Sequence, residues 1–140
     1  MSDRSVWTIL VAAGAGSRFG APKQLLELAG TRVVDRSVAT AARHSQGIVV
    51  VMPAEPVPGV EPVVVPGGVD VRTVTGGDSR AASVRNGLAV VPEDVEVILV
   101  HDAARPLATD GIYERVVSAV RSGADAVAPA VPVADTLRRR

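Results

Sequence analysis

No cysteine occurs anywhere in the chain, which excludes a disulfide framework, thiolate chemistry and a zinc finger. Aromatic side chains are almost as scarce. Trp7, Phe19 and Tyr113 are the whole set, too few to build a stacking platform for single-stranded nucleic acid. Fifteen Lys and Arg balance 15 Asp and Glu, so no global field draws a polyanion or a lipid surface. Three arginines at 138–140 form a short basic tail that reads as solvated. The uncharged stretch at 6–17 is too short and too glycine-rich to span a bilayer. The opening MSDRSVW is polar and unlike a signal peptide. These absences lead to the expectation of a cytoplasmic protein with neither nucleic acid nor membrane as partner.

What is present is a chain of 140 residues, 47% hydrophobic and dominated by Val and Ala, which suits buried parallel strands under small-residue helices. Strands are predicted at 6–12, 48–52, 71–75, 95–100 and 126–131, with a further short one at 63–65. Residues 25–28 and 32–34 suggest a small hairpin around Ala29-Gly30. Helical spacing of apolar residues appears at 35–43, at about 80–90 after a cap at Asp78 or Ser79, and after Thr109 or Asp110 until Gly123. Alternating strands and helices predict an α/β fold: an open, mostly parallel Rossmann-like sheet with helices on both faces. One domain covering 1–140 is expected.

In such sheets ligands bind beyond the carboxyl ends of the strands. Polar clusters follow four of the predicted strands. The first is LVAAGAGSRFGAPK at 10–23, an apolar run ending in a loop that carries Arg18 and Lys23. Gly14 and Gly16 let the main chain approach phosphate oxygens with no Cβ in the way. It is not a Walker loop, because Lys23 is followed by Gln24 and preceded by Pro22. It is not a dinucleotide fingerprint, because the third glycine, Gly20, comes one place late. A strand followed by A-A-G-x-G-x-R and then P-K looks like the signature of nucleotidyltransferases acting on a nucleoside triphosphate.

The second cluster, Gly76-Gly77-Asp78-Ser79-Arg80, opens a helix and offers amide groups at its positive end. Gly77 and Asp78 read as a backbone platform for a nucleobase or ribose, with Ser83 as a supporting hydroxyl; the alternative is an ordinary N-cap. In the third, His101 to Pro106, Asp102 stands just past an apolar strand and is a candidate Mg²⁺ ligand. The alternative is an ion pair with Arg105 or a turn cap. Arg105 suits a second substrate's phosphate, or a salt bridge. His101 is expected to orient the loop, and His44 to lie at the surface near a helix end. The fourth cluster is Asp135-Thr136.

With these clusters in place, the chain closely resembles the 2-C-methyl-D-erythritol 4-phosphate cytidylyltransferases of the non-mevalonate isoprenoid pathway. AAGAGSRFG with PKQ at 12–24, GGDSRAASVRNGL at 76–88, VHDAARP at 100–106 and VPVADT at 131–136 carry the resemblance. It implies a fold of the nucleotide-diphospho-sugar transferase type and transfer of a cytidylyl group from CTP to a small phosphorylated polyol. It implies that Ala12, Ala13, Gly77, Asp78, Ser83 and Ala103 contact CTP. Arg18 and Lys23 would stabilise the transition state, Asp102 would hold Mg²⁺, and Arg105 and Thr136 would touch the methylerythritol phosphate. Family members continue past the DT motif into a dimerisation arm and further site residues. The expectation is therefore a single nucleotidyltransferase domain, incomplete at its C-terminus, from a protein that is a homodimer when complete.

Three alternatives stand beside this reading. One is a cytidylyl- or guanylyltransferase for another acceptor, such as ribitol phosphate or molybdopterin. Another is a non-catalytic nucleotide-binding domain. The last is a chain that folds only when a partner supplies missing strands.

Overall fold

The first strand, β1 (Val6–Val11), is an apolar run broken only by Thr8, VWTILV, and its first five residues are all buried. A strand that buries both faces shows no alternation, because helices must cover it above and below. The second long strand, β4 (Gly47–Met52), has the same sequence character and the same burial. The computed structural model, which describes residues 5–14, 22–55, 61–63, 65 and 67–134, places these two side by side at the centre of a four-stranded sheet. The edges are β5 (Asp70–Thr75) and β6 (Val97–Asp102), giving the order β5-β4-β1-β6 with every pairing parallel. A separate hairpin, β2 (Glu27–Leu28) with β3 (Thr31–Arg32), turns through Ala29 and Gly30. Both turn residues have positive φ, 49° and 73°, as a two-residue hairpin turn requires.

Two helices, α1 (Val33–His44) and α3 (Asp110–Arg121), pack against each other on one face of the sheet. Val34, Val38 and Ala41 of α1 and Tyr113 of α3 meet Leu10, Ile48 and Val50 there in one cluster. The shorter α2 (Arg80–Leu88) lies on β1, β4 and β5, over a second cluster built on Trp7, Ile9, Val49 and Val51. The open parallel sheet with helices on both faces is thus as expected.

Strand order matters for function. Chain direction across the sheet reverses between β1 and β6: from β1 the chain builds outward to β4 and β5, then returns to the other side of β1. That reversal opens a crevice at the carboxyl ends of β1 and β6, the place where open α/β sheets bind ligands.

Two expected strands are corrected. Residues 126–131 are irregular and exposed, with Val131 86% accessible, although their composition favours a strand. A strand needs a ladder partner, and among the described residues no strand pairs with this segment or with the outer edge of β6. On β6, Ile98 and Val100 remain exposed. Nor do Val63 and Val65 form a strand; they pack as loose apolar residues against the α1 cluster. The predicted helix to residue 90 ends at Leu88.

Candidate functional site

Parallel register aligns the strand ends. Val11 stands opposite both Val51 and Asp102, and Met52 stands opposite Thr75. Three backbone hydrogen bonds carry the ladders one step past the strands: the Ala12 N–H to Val51 O at 2.8 Å, the Ala103 N–H to Val11 O at 2.9 Å, and the Gly76 N–H to Met52 O at 2.8 Å. The first three sequence clusters therefore meet at one rim. Arg18 and Gly16 of the first loop, and Thr136 of the fourth cluster, lie outside the described residues.

The start of the first loop is pinned by a residue to which sequence reasoning assigned no role. Gln24 is buried, and its Nε2 donates to the carbonyls of Ala12 at 2.8 Å and Gly14 at 2.7 Å. The amide thus engages two loop carbonyls at once, and it sits on the same short 3-10 turn (Lys23–Leu25) that begins with the exposed Lys23. Ala12 is buried, Ala13 half-buried and Gly14 exposed.

The second cluster is built by close approach. A Cβ on Gly76 would come within 2.4 Å of the Ala13 Cβ and 3.0 Å of the Ser83 hydroxyl, so only glycine allows the two loops to touch. Ser79 caps α2 by accepting from the Ala82 N–H at 3.0 Å, which settles the choice between Asp78 and Ser79. Ser83 is buried and accepts a hydrogen bond from the Gly77 N–H at 3.1 Å, and Asn86 Nδ2 donates to Thr75 O at 2.9 Å. Both side chains fix the turn that carries Gly77 and the exposed Asp78.

The third cluster holds Asp102 half-buried between two arginines. Arg80 Nε and a terminal guanidinium nitrogen each reach Oδ1 at 2.9 Å, and Arg105 Nε reaches Oδ2 at 3.3 Å. The ion pair with Arg105 is one of the alternatives that the sequence offers for Asp102. The second pair, from α2, has no signal in the local sequence. Ala103 is fully buried; its N–H meets Val11 and its carbonyl accepts from the Ser37 hydroxyl at 2.8 Å.

His101 orients the loop, as expected. Its Nε2 lies 2.9 Å from the Arg105 carbonyl. A carbonyl only accepts, so Nε2 carries the proton and Nδ1 accepts from the Tyr113 hydroxyl. Burial pushes the His101 pKa below its ordinary 6.5, opposed by the bond to Arg105, and burial also raises that of Tyr113. His44 ends α1 but is not simply a surface residue: it stacks on Tyr113 at 5.0 Å and meets Asp110 at 2.7 Å.

Among the described residues no group of three or more His, Asp or Glu side chains is placed to hold a metal. Among the described residues the rim instead offers Asp102 and the exposed Asp78 on separate turns beside the glycine loop. That suits a hard cation which takes most of its oxygens from a nucleotide and water.

The model of the family described as IspD, 2-C-methyl-D-erythritol 4-phosphate cytidylyltransferase, matches residues 6–140. The chain belongs to this family. The IspD relative from Saccharopolyspora erythraea, carrying that same enzyme name, is 43% identical over 145 residues, spanning 96% of this chain and 63% of its own. The one from Streptomyces avermitilis is 40% identical over 139 residues, spanning 94% of this chain and 56% of its own. The crystal structure of 2-C-methyl-D-erythritol 4-phosphate cytidylyltransferase from Thermus thermophilus superposes with a TM-score of 0.68 at 34% identity, over 94% of this chain and 57% of that one. The chain thus spans a little over half the length of the IspD proteins it matches.

Proposed function

We propose that this chain carries the nucleotide end of an enzyme that transfers the cytidylyl group of CTP to 2-C-methyl-D-erythritol 4-phosphate. The products are 4-diphosphocytidyl-2-C-methyl-D-erythritol and pyrophosphate, in isoprenoid precursor biosynthesis. The observation supporting it most is the meeting of three clusters at the reversal between β1 and β6, with Gln24 tying down the glycine loop and Asp102 facing it across the crevice. In this reading Ala12, Ala13, Gly14, Gly16, Gly77, Asp78, Ser83 and Ala103 contact CTP, and Arg105 and Thr136 contact the acceptor. Mg²⁺ is the proposed ion, the cytoplasm the compartment, and a homodimer the form of the complete protein. Membership of the family supports these; among the described residues no helix is long and apolar enough to cross a membrane.

The acceptor's phosphate oxygen forms a bond to the α-phosphorus while the bond from that phosphorus to the pyrophosphate oxygen breaks. Two anions must approach, so the protein's main task is electrostatic. Lys23 and Arg18 neutralise charge that grows on the α-phosphate oxygens and on the leaving pyrophosphate. When bound at Asp102, Mg²⁺ supplies further charge neutralisation and orients phosphate oxygens. No general base is needed, because a phosphomonoester with a second pKa of about 6 is already ionised. His101 fits that scheme: buried, neutral and hydrogen-bonded through both nitrogens, it positions the Asp102–Arg105 loop. Calorimetric titration with CTP and Mg²⁺ tests the reading. The chain binds CTP, Asp102→Ala loses the metal-dependent part of the affinity, and GTP binds far more weakly. Equal binding of GTP, or tight NADH binding with no CTP binding, refutes it.

A further inference from the structure

Arg80 has no part in the reactions above, yet it makes the tightest contact to the carboxylate on which they depend. It is the first residue of α2, and it spans the crevice to place two guanidinium nitrogens at 2.9 Å from Asp102 Oδ1. Its side chain is 60% exposed while that of Asp102 is 31% exposed, so the guanidinium leans over the rim rather than packing into the core. Arg105, 76% exposed, takes the other oxygen at 3.3 Å. The rim thus holds two cations on one anion, an excess of positive charge at the point where a triphosphate would lie.

A divalent cation on Asp102 and the Arg80 guanidinium compete for Oδ1, because two positive groups held on one carboxylate repel each other at close range. Binding of one therefore weakens the hold of the other. A displaced Arg80 keeps its long flexible stem anchored at the start of α2, beside the Gly76–Gly77 turn. Its fork matches phosphate oxygens.

We propose that Arg80 is a nucleotide-binding residue that works by exchange. It holds Asp102 in position in the structure, and when metal and nucleotide bind it leaves the carboxylate to the metal and grips the phosphates. The proposal rests on the nucleotidyltransferase reading, and the two are separable by experiment. The chain, Arg80→Met and Arg80→Lys are compared in two titrations: Mn²⁺ alone, followed by electron paramagnetic resonance, and CTP with Mg²⁺, followed by calorimetry. Removing the competitor in Arg80→Met tightens binding of Mn²⁺ alone by roughly two- to fivefold, the scale of an exposed ion pair. The same substitution weakens CTP by roughly tenfold or more, the scale of a charged hydrogen bond. Arg80→Lys, which keeps the charge and loses the fork, restores part of the CTP affinity. Opposite signs in the two titrations are the signature, since a merely structural arginine would weaken both. Two unchanged affinities, or two weakened ones, overturn the exchange while leaving the nucleotide site intact. A native chain that fails to bind CTP with Mg²⁺ overturns the functional reading and the exchange together.

Discussion

The two sides of the crevice are held by different forces. On the β4–β5 side, and under the glycine loop, the scaffold is made of buried groups: Gln24 and Ser83 are nearly inaccessible, and Gly76 lies against Ala13 with no room for a methyl group. On the β6 side, Asp102 is held by arginines that are more exposed than buried. Buried hydrogen bonds between short side chains and backbone set a geometry that resists change, because breaking one leaves an unpaired polar group. Exposed ion pairs contribute little and rearrange easily. The glycine-loop and β5 side of the proposed site is therefore built in advance, while the β6 side adjusts to what arrives.

Four outcomes test that contrast, in decreasing size. In the complete protein, on the proposed function, Lys23→Ala lowers CTP-dependent pyrophosphate release by a factor of roughly 10²–10³, the cost of one preorganised charge at the transition state, with the fold intact. Unaltered turnover would remove Lys23 from the chemistry. Gly76→Ala costs roughly 1–3 kcal/mol in urea unfolding, because Ala13 and Ser83 cannot both retreat, and it weakens CTP as well. A neutral result would mean that the two loops are not locked together.

The third outcome concerns pH. His101 titrates below 6.5 in the folded chain because burial disfavours its charge. Well above pH 6.5 it is neutral in both states and contributes no slope. As pH falls below that value the unfolded chain gains the proton first, so stability drops, by at most about 1.4 kcal/mol per pH unit, until the folded pKa is reached. Unfolding curves between pH 6.5 and 5 show this slope, and His101→Gln flattens it; an equal slope in the variant assigns it elsewhere. The smallest effect belongs to Arg105→Gln, which changes stability by no more than about 0.5 kcal/mol. A larger loss in denaturant titration would show that the β6 side is as firmly built as the other.

The sequence made the central strands legible because β1 and β4 are short, almost wholly apolar runs rich in β-branched residues, the pattern of a parallel strand covered on both faces. The first and third rim clusters were legible because each follows an apolar run, and the second because a glycine pair precedes a helix cap. Other features follow from tertiary contacts that local sequence does not encode. Residues 126–131 have strand composition, but composition supplies no ladder partner. Gln24 looks like any surface glutamine until the fold brings Ala12 and Gly14 over its amide. The reach of Arg80 to Asp102 spans 22 positions and depends on the spacing of α2 from β6. Tyr113, read only as a rare aromatic, locks the tautomer of His101.

The single tryptophan gives these experiments an internal gauge. Trp7 sits in the first half of β1, in register with Gly47 and Ile98, at the opposite end of that strand from Ala12 and Asp102. It is 5% exposed, presses on Gly47 where a Cβ would fall 2.2 Å from its ring, and lies under the Arg72 guanidinium at 4.7 Å. Its emission therefore follows collapse of the whole sheet and is blind to what occupies the crevice. A substitution that silences nucleotide binding while leaving that fluorescence unmoved has altered chemistry, and one that shifts both has altered the fold.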